Sequence, residues 1–351
     1  MKKMMYAMKR MVAVVLAALL FFSIVSVSGV AEETTPLLFT AEEIVDAGYD
    51  AYDAGDFEKA RGLFELVAER GYAKAQNALG NLYSNEDYPE FSHEKAVSYY
   101  QLAVDQGYVG AKKNLADMYY HGLGVEQSYE KAAKYALEAA DQGNRYAQSM
   151  MGTLYDDGLG IEQSSEKAAE YFQLAADQGY EYAQYRLAYK YAWGIGVEQS
   201  DEMAVKYGQM SAAQGGRGAL ELMGEFYMYG IGVEQSYEKA FAYYQQASDL
   251  GFGVATNNIG DMYENGYYVD QSYEKAMTYY QLAVEQGSYF GLCSIGSMYL
   301  LGHGVEQSLE KAVEYYREAA EKGVEEAVEK LNQLITEGKI TEDYQVISTG
   351  E

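Results

Sequence analysis

Residues 111–146 read AKKNLADMYYHGLGVEQSYEKAAKYALEAADQGNRY, and residues 147–182 read AQSMMGTLYDDGLGIEQSSEKAAEYFQLAADQGYEY. Superimposed without a gap, the two share their opening Ala, a Tyr eight residues on, a Gly-Leu-Gly turn, a Ser and the tripeptide Glu-Lys-Ala. Working outward, Glu-Lys-Ala begins at Glu58, Glu94, Glu130, Glu166, Glu238, Glu274 and Glu310, with Glu202-Met203-Ala204 in the remaining slot, and every interval is 36 residues. A fixed period of this size is the mark of stacked supersecondary units that each bury one face against the next. The chain therefore reads as eight tandem units.

One unit reads as two helices. The second opens at Ser92, Ser128, Ser164, Ser200, Ser236, Ser272 or Ser308, and at Asp56 in the first unit. A side-chain oxygen there accepts from the free backbone N–H groups of the first turn, and the Glu two residues on sits where the helix dipole favours negative charge. The Ala of the tripeptide and the aromatic five residues past its Glu (Tyr99, Tyr135, Tyr171, Tyr207, Tyr243, Tyr279, Tyr315) have the spacing of a buried stripe. Glycines at 71, 107, 143, 179, 215, 251, 287 and 323 follow, and Gly takes the left-handed conformation of a helix end without steric cost. The first helix of the next unit then shows Ala111, Leu115, Ala116 and Tyr119, or Ala147, Met151, Gly152 and Tyr155: one face on which a small residue lets another helix come close. The Gly-x-Gly stretches at Gly122, Gly158, Gly194, Gly230 and Gly302 read as turns. None follows a strand, and a third Gly or a Gly-Lys-Ser/Thr ending is missing, which argues against phosphate binding.

The combination Ala-x-x-x-Leu-Gly-x-x-Tyr, Gly-x-Gly-Val, Glu-Lys-Ala, paired aromatics and Ala-x-x-x-Gly over 36 residues resembles the Sel-1-like repeat family, a relative of tetratricopeptide repeats. The resemblance covers about residues 56 to 330, with a degenerate opening helix near 41–53. It implies an all-α fold, a right-handed superhelical α-solenoid of helix-turn-helix repeats, and adaptor or scaffold roles common in bacterial envelopes and signalling assemblies. Exported members that staple each repeat with a Cys pair have cell-wall and antibiotic-binding activities suggested for them. This sequence lacks those pairs, which puts the transfer of those activities in doubt.

The N-terminus departs from the repeat. Lys2, Lys3, Lys9 and Arg10 precede an apolar run from Met11 to Val27, and Gly29 and Ala31 offer small residues for cleavage before Glu32 and Glu33. Residues 1–31 are expected to be a signal peptide, 32–40 a linker, 41–336 a solenoid of about eight helix pairs with a closing helix, and 337–351 a tail. An uncleaved anchor is the competing reading, since a run of about 17 apolar residues is at the lower limit for spanning a bilayer. The expected location is the bacterial periplasm, envelope or exterior, with no stable membrane insertion after cleavage. Cys293 is the only cysteine, so no internal disulfide holds the fold. It reads as a small semi-buried residue, or as a thiol that cross-links two chains.

Eight near-copies allow an internal comparison: repeating positions serve the scaffold, varying ones are free for recognition. On the first helix the stripe two, six and ten residues past the repeating Ala varies most. It reads Asn77, Asn81, Asn85; Lys113, Asp117, His121; Ser149, Thr153, Asp157; Tyr185, Tyr189, Trp193; Glu221, Glu225, Tyr229; Asn257, Asp261, Asn265; and Cys293, Ser297, Leu301. Spacing of four puts each trio on one helical face. Tyr185, Tyr189 and Trp193, beside Glu221, Glu225 and Tyr229, with Asp117, His121, Asn257 and Asp261, form the expected ligand-binding stripe on the concave face. Aromatics next to carboxylates suit a basic peptide or, with Asn, a glycan. The opposing reading packs Tyr185, Tyr189 and Trp193 into the core.

The net charge of −27, more negative by four once the basic leader is lost, repels phosphate backbones and argues against nucleic acid. The acidic residue four before each tripeptide (Glu90, Glu126, Glu162, Glu198, Glu234, Asp270, Glu306) reads as a solvated rim, with an electrostatic strip for cations as the alternative. No catalytic constellation emerges. His93, His121 and His303 have no metal-ligand spacing, and the nearest acid/base couple, Asp117 with His121, reads as a surface hydrogen bond. The sequence thus points to a monomeric, cofactor-free, metal-free, exported adaptor that binds a protein or peptide of basic character. A carbohydrate- or peptidoglycan-binding module is the alternative, and a cell-wall hydrolase a more distant one.

Overall fold

The computed structural model describes residues 39–347; the expected signal peptide at 1–31 and nearly all of the linker lie outside the described residues. Among those described the chain forms seventeen helices and one isolated bridge, Ile340 with Val346. Consecutive helices pack as pairs, an all-α solenoid of repeats. The chain divides into two compact units, one ending at Ser164 and one beginning at Ser165. The first unit holds α1 (Ala41–Asp53), α2 (Phe57–Ala68), α3 (Ala73–Tyr83), α4 (His93–Val104), α5 (Val109–His121), α6 (Tyr129–Ala140) and α7 (Arg145–Asp157). The second holds α8 (Ser165–Asp177), α9 (Glu181–Trp193), α10 (Asp201–Ala212), α11 (Arg217–Tyr229), α12 (Tyr237–Asp249), α13 (Gly253–Asn265), α14 (Tyr273–Glu285), α15 (Phe290–Leu301), α16 (Leu309–Glu321) and α17 (Glu325–Thr336).

The helix starts and stops are those the repeat encodes. Asp56, Ser92 and Ser128 in the first unit, and Ser200, Ser236, Ser272 and Ser308 in the second, each accept the backbone N–H of the residue three on. The glycines after each second helix have φ of 76 to 88°. In the turn that follows each first helix the Gln of the Glu-Gln-Ser motif closes the loop: Gln127 Nε2 donates to the Tyr120 carbonyl at 2.8 Å, and Gln235 and Gln307 do the same to Met228 and Leu300.

The Lys of the tripeptide has a second role. Its ammonium lies 4.7 to 4.9 Å over the ring of the Tyr that precedes the turn: Lys95 over Tyr83 and Lys131 over Tyr119 in the first unit, Lys239 over Tyr227, Lys275 over Tyr263 and Lys311 over Tyr299 in the second. The same rings stack nearly parallel on Tyr99, Tyr135, Tyr243, Tyr279 and Tyr315, with centroids 5.4 to 5.8 Å apart. Of the aromatics read from spacing as the buried stripe, these five are half-buried stacking partners, while Tyr207, stacked on Tyr191 with centroids 5.9 Å apart, is buried. The fully buried aromatic is the next residue, at Tyr100, Tyr244, Tyr280 and Tyr316. Helical pitch explains the shift by one, since both positions flank the same face and the sequence alone does not say which points inward.

Each buried aromatic lies over a glycine of the preceding helix. A Cβ added to Gly260 would sit 2.5 Å from Tyr280 Cε1, one on Gly296 would sit 2.8 Å from Tyr316 Cε1, and Gly80 and Gly224 meet Tyr100 and Tyr244 in the same way. Where the first helix has Ala116 or Ala188 instead, the position of the aromatic is taken by Ala136 or Gly208. At these paired positions a ring is thus found facing a glycine and not an alanine, as a close-packed interior with no room for both ring and Cβ demands.

The second glycine of each turn is held by contact as well as by φ. Gly124, Gly160, Gly196 and Gly232 approach the backbone at the start of the preceding second helix so closely that none has room for a Cβ. The exception is Tyr268, which occupies this place with φ of 66°. A left-handed non-glycine residue costs about 1 kcal/mol, and its exposed ring contacts only Phe241 among the ring contacts, 5.8 Å between centroids. Tyr268→Gly is expected to stabilise the protein by about 1 kcal/mol in chemical denaturation; a loss of stability would show that the Phe241 contact outweighs the strain.

Beyond the closing helix α17, residues 337–347 fold back rather than trail away. Ile340 is buried with Leu331 and Leu334, and Tyr344 and Val346 pack against the same cluster.

Candidate functional site

The packing just described leaves the variable stripe on the far side of each first helix from its Ala and Leu. In the unit ending at Ser164 the stripe is largely self-satisfied. Asn114 Nδ2 donates to Asn77 Oδ1 at 3.0 Å and to Asn81 Oδ1 at 2.9 Å, and Tyr100 Oη donates to Asn81 Oδ1 at 2.9 Å. Asp117 is ion-paired with Lys113 one turn back, and the exposed His121 meets the Tyr120 ring edge-on at 4.8 Å. The Asp117–His121 couple raised by the spacing is thus not the pairing that forms. Lysine outcompetes imidazole for the carboxylate because it is charged throughout the neutral range.

In the unit beginning at Ser165 the stripe has a different character. Tyr189 and Trp193 on α9 are 42% and 44% exposed, with ring centroids 4.4 Å apart. Tyr185 on the same helix is half-buried, its ring lying over Gly218 at the start of α11, and burial raises its phenol pKa. Of the expected trio, two rings face solvent and one is a packed neighbour. At the end of α11, Tyr229 is 69% exposed. Gly208 stands where most other units carry the buried aromatic, and Met223 and Phe226 come closest to it.

Beside the aromatics lie carboxylates that the fold withdraws from water. Burial pushes Glu221 up to about 8, with repulsion from Glu225 adding and a hydrogen bond from Asn258 Nδ2 at 3.1 Å opposing. Burial raises Glu225 as well. Asp261 on α13 rises to about 7, again chiefly through burial, with a hydrogen bond from Tyr280 opposing and Glu264 and Glu326 adding. Asn257 is a buried strut: its amide nitrogen is 3.4 Å from Asp261 Oδ2 and its oxygen accepts from Ser294 Oγ at 3.2 Å.

Three residues outside the expected stripe join Asp261. The Tyr280 hydroxyl lies 2.8 Å from Asp261 Oδ1 and 2.6 Å from Glu264 Oε2, and His303 Nδ1 lies 2.9 Å from Glu264 Oε1. His303 also stacks on Tyr273 at 4.5 Å. His303 stands where the other Gly-x-Gly turns carry Leu or Ile, which was the one available signal for it. Tyr280 belongs to the repeat frame and gave none, and Glu264 stands at a variable position that lies off the stripe.

Cys293 is 2% exposed and burial pushes its thiol up to about 12. The sulfur is a core atom, and cross-linking of chains through it is incompatible with the folded protein. The periodic acidic residues are solvent-facing, as the rim reading has it, and Glu90 additionally pairs with Arg61 at 2.9 Å. No group of three or more His, Cys, Asp or Glu able to hold a metal ion occurs among the described residues, and no helix there is long and apolar enough to cross a membrane.

The model of the Sel1 repeat matches seven stretches, residues 73–108, 111–144, 145–180, 181–216, 218–252, 253–288 and 289–324. The first helix pair, α1 with α2, lies ahead of them. Among solved structures the chain is similar to a protective antigen of uropathogenic Escherichia coli displaying an SLR fold, at 30% identity over 85% of this chain, with a TM-score of 0.65; the match spans 65% of the antigen chain. It is also similar to a Sel1 repeat protein from Oxalobacter formigenes, at 26% identity over 70% of this chain and 96% of that one, with a TM-score of 0.64. No curated protein matches the sequence.

Proposed function

This chain belongs to the Sel1 repeat family, whose members are typically protein–protein interaction scaffolds and generally non-catalytic, and from that premise we propose that it is an exported adaptor that binds a basic protein segment on the variable stripe of residues 165–347. The observation that carries the reading is the exposed Tyr189–Trp193 pair with Tyr229, at positions the helix packing does not use. Rigid aromatics supply much contact area at low entropic cost, and a cation over a ring face gains about 0.5 to 2 kcal/mol. Glu221 and Glu225 supply the complementary charge once ionised, which their raised pKa values make more complete as pH rises. Export is supported by the sequence of residues 1–31 and a basic partner by the net charge of −27.

A photo-cross-linking amino acid placed at position 189 of the full chain, expressed in its own compartment, tests this reading. The expected product is one discrete protein adduct that disappears when Trp193 and Tyr229 are replaced by alanine. Adducts to a glycan strand would replace the protein reading by the carbohydrate one, and labelling unaffected by those replacements would place the interaction elsewhere.

A further inference from the structure

The contact of the Tyr280 hydroxyl with two carboxylates has a proton count that does not close if both are ionised. A phenol has one proton and can donate to one acceptor. Yet Asp261 Oδ1 at 2.8 Å and Glu264 Oε2 at 2.6 Å are both at hydrogen-bond distance from the same oxygen. Two such contacts require a second proton, carried by one of the carboxyls and donated to the phenol oxygen. Glu264 has two donors available, Tyr280 on Oε2 and His303 Nδ1 on Oε1 at 2.9 Å. Asp261 has only the long contact from Asn257 at 3.4 Å besides the phenol. Two assignments satisfy every atom, with the second proton on Asp261 or on Glu264, and the one that leaves the negative charge on the carboxylate with two short donors is this: Asp261 O–H donates to Tyr280, Tyr280 O–H to Glu264, and His303 Nδ1–H to Glu264.

We propose that Asp261, Tyr280, Glu264 and His303 form one proton-holding chain beneath the variable stripe, which keeps a proton on Asp261 at neutral pH while the stripe is empty and releases it when a cationic segment docks. This rests on the reading of the stripe as the binding surface. The charged and titratable groups that face Asp261 from the elements around it are Glu264 on its own helix, Tyr280 on α14, Tyr244 on α12, Tyr229 on α11 and Glu326 on α17. None of them is a cation; what favours the ionised form is a hydrogen bond from the Tyr280 hydroxyl, which burial and the two glutamates outweigh. A lysine or arginine arriving beside Tyr229 supplies the missing positive charge, and ionisation of Asp261 then strengthens its attraction for the newcomer. Proton release and binding are thereby linked in both directions. The chain is rigidly placed, because the Tyr280 ring is clamped over Gly260 and wholly buried.

The test is a carboxyl carbon-13 NMR titration of the full chain labelled at aspartate, with Asp261 assigned from Asp261→Asn, run with and without a decalysine peptide. Asp261 is expected to titrate at least two pH units above an ordinary aspartate, and its midpoint to fall by about one unit or more when decalysine saturates the protein. An ordinary midpoint in the free protein would overturn the proton chain whatever binds at Trp193. A raised midpoint that decalysine leaves in place, although the peptide binds and perturbs Trp193, would overturn the linkage while leaving the binding surface standing. Tyr280→Phe provides a second check. Removing the hydroxyl breaks the link to His303, so the Asp261 resonance should cease to respond to His303→Gln; a response that survives would contradict the chain.

Discussion

Gly260→Ala is expected to lower stability by about 2 kcal/mol, although alanine is the better helix former by about 1 kcal/mol. The added Cβ would sit 2.5 Å from a ring carbon of Tyr280, and overpacking a filled core costs about 1 to 3 kcal/mol, sometimes more. The ring has little freedom to retreat, being fully buried with its hydroxyl between Asp261 and Glu264. Tyr280→Ala alone is expected to cost about 4 kcal/mol through the cavity it leaves. The informative quantity is the double variant. Because the chain itself uses Ala116 with Ala136 and Ala188 with Gly208 at the corresponding places, Gly260→Ala in the Tyr280→Ala background should cost nothing or stabilise. Urea unfolding of the four proteins would then give a coupling energy of about 2 kcal/mol or more. Additive losses would mean that the glycine is there for a reason other than room for the ring.

A second large effect is expected from pH. The pKa values of Glu221, Glu225 and Asp261 are all raised in the folded protein, Glu221 to about 8 and Asp261 to about 7. For a raised carboxyl the folded state binds more protons than the unfolded one between the two pKa values. Its contribution is therefore complete below the ordinary carboxylate range and is lost as pH climbs through the folded value. The protein should be most stable near pH 5 and should weaken steadily to about pH 8.5, by an amount on the order of 3 kcal/mol from Glu221 alone. Glu221→Gln keeps the acceptor for Asn258 and removes the titration. It should leave stability near pH 5 almost unchanged and restore much of the loss at about pH 8.5. Denaturation midpoints at the two pH values decide the matter, and a wild-type profile flat across this range would contradict the burial of these carboxyls.

What the sequence made legible follows from what repetition makes visible. Glu-Lys-Ala, the capping Ser and the terminal Gly stand at fixed steps, so helix ends and the all-α class could be read directly, and the family match from residue 73 to 324 agrees with that reading. The opening pair α1 and α2 forms although it lies ahead of the matched repeats, because Thr40 and Asp56 cap it as the serines cap the others. Pairings across helices were not legible. That Lys95 covers Tyr83, or that Tyr280 rather than Tyr279 is the buried ring, depends on which face of one helix meets which face of the next. Comparing units did locate the variable stripe and its exposed members Tyr189, Trp193 and Tyr229. It also placed Tyr185 and Asn257 among the contacts, where packing over Gly218 and hydrogen bonding to Ser294 engage them instead. His303 was missed as a partner of Glu264 because 39 residues separate them and the two belong to different units of the period.

The binding surface carries its own reporter, since Trp193 is the only tryptophan in the chain. Titration of the full protein with decalysine, followed by tryptophan emission, tests the central claim most directly. A saturable change in Trp193 emission is expected, with binding tighter at about pH 9 than at about pH 6, and at least about tenfold weaker when Glu221 and Glu225 are both replaced by glutamine, a loss of about 1.4 kcal/mol. Emission that stays constant throughout the titration, or an affinity that the two replacements leave unchanged, would contradict that claim.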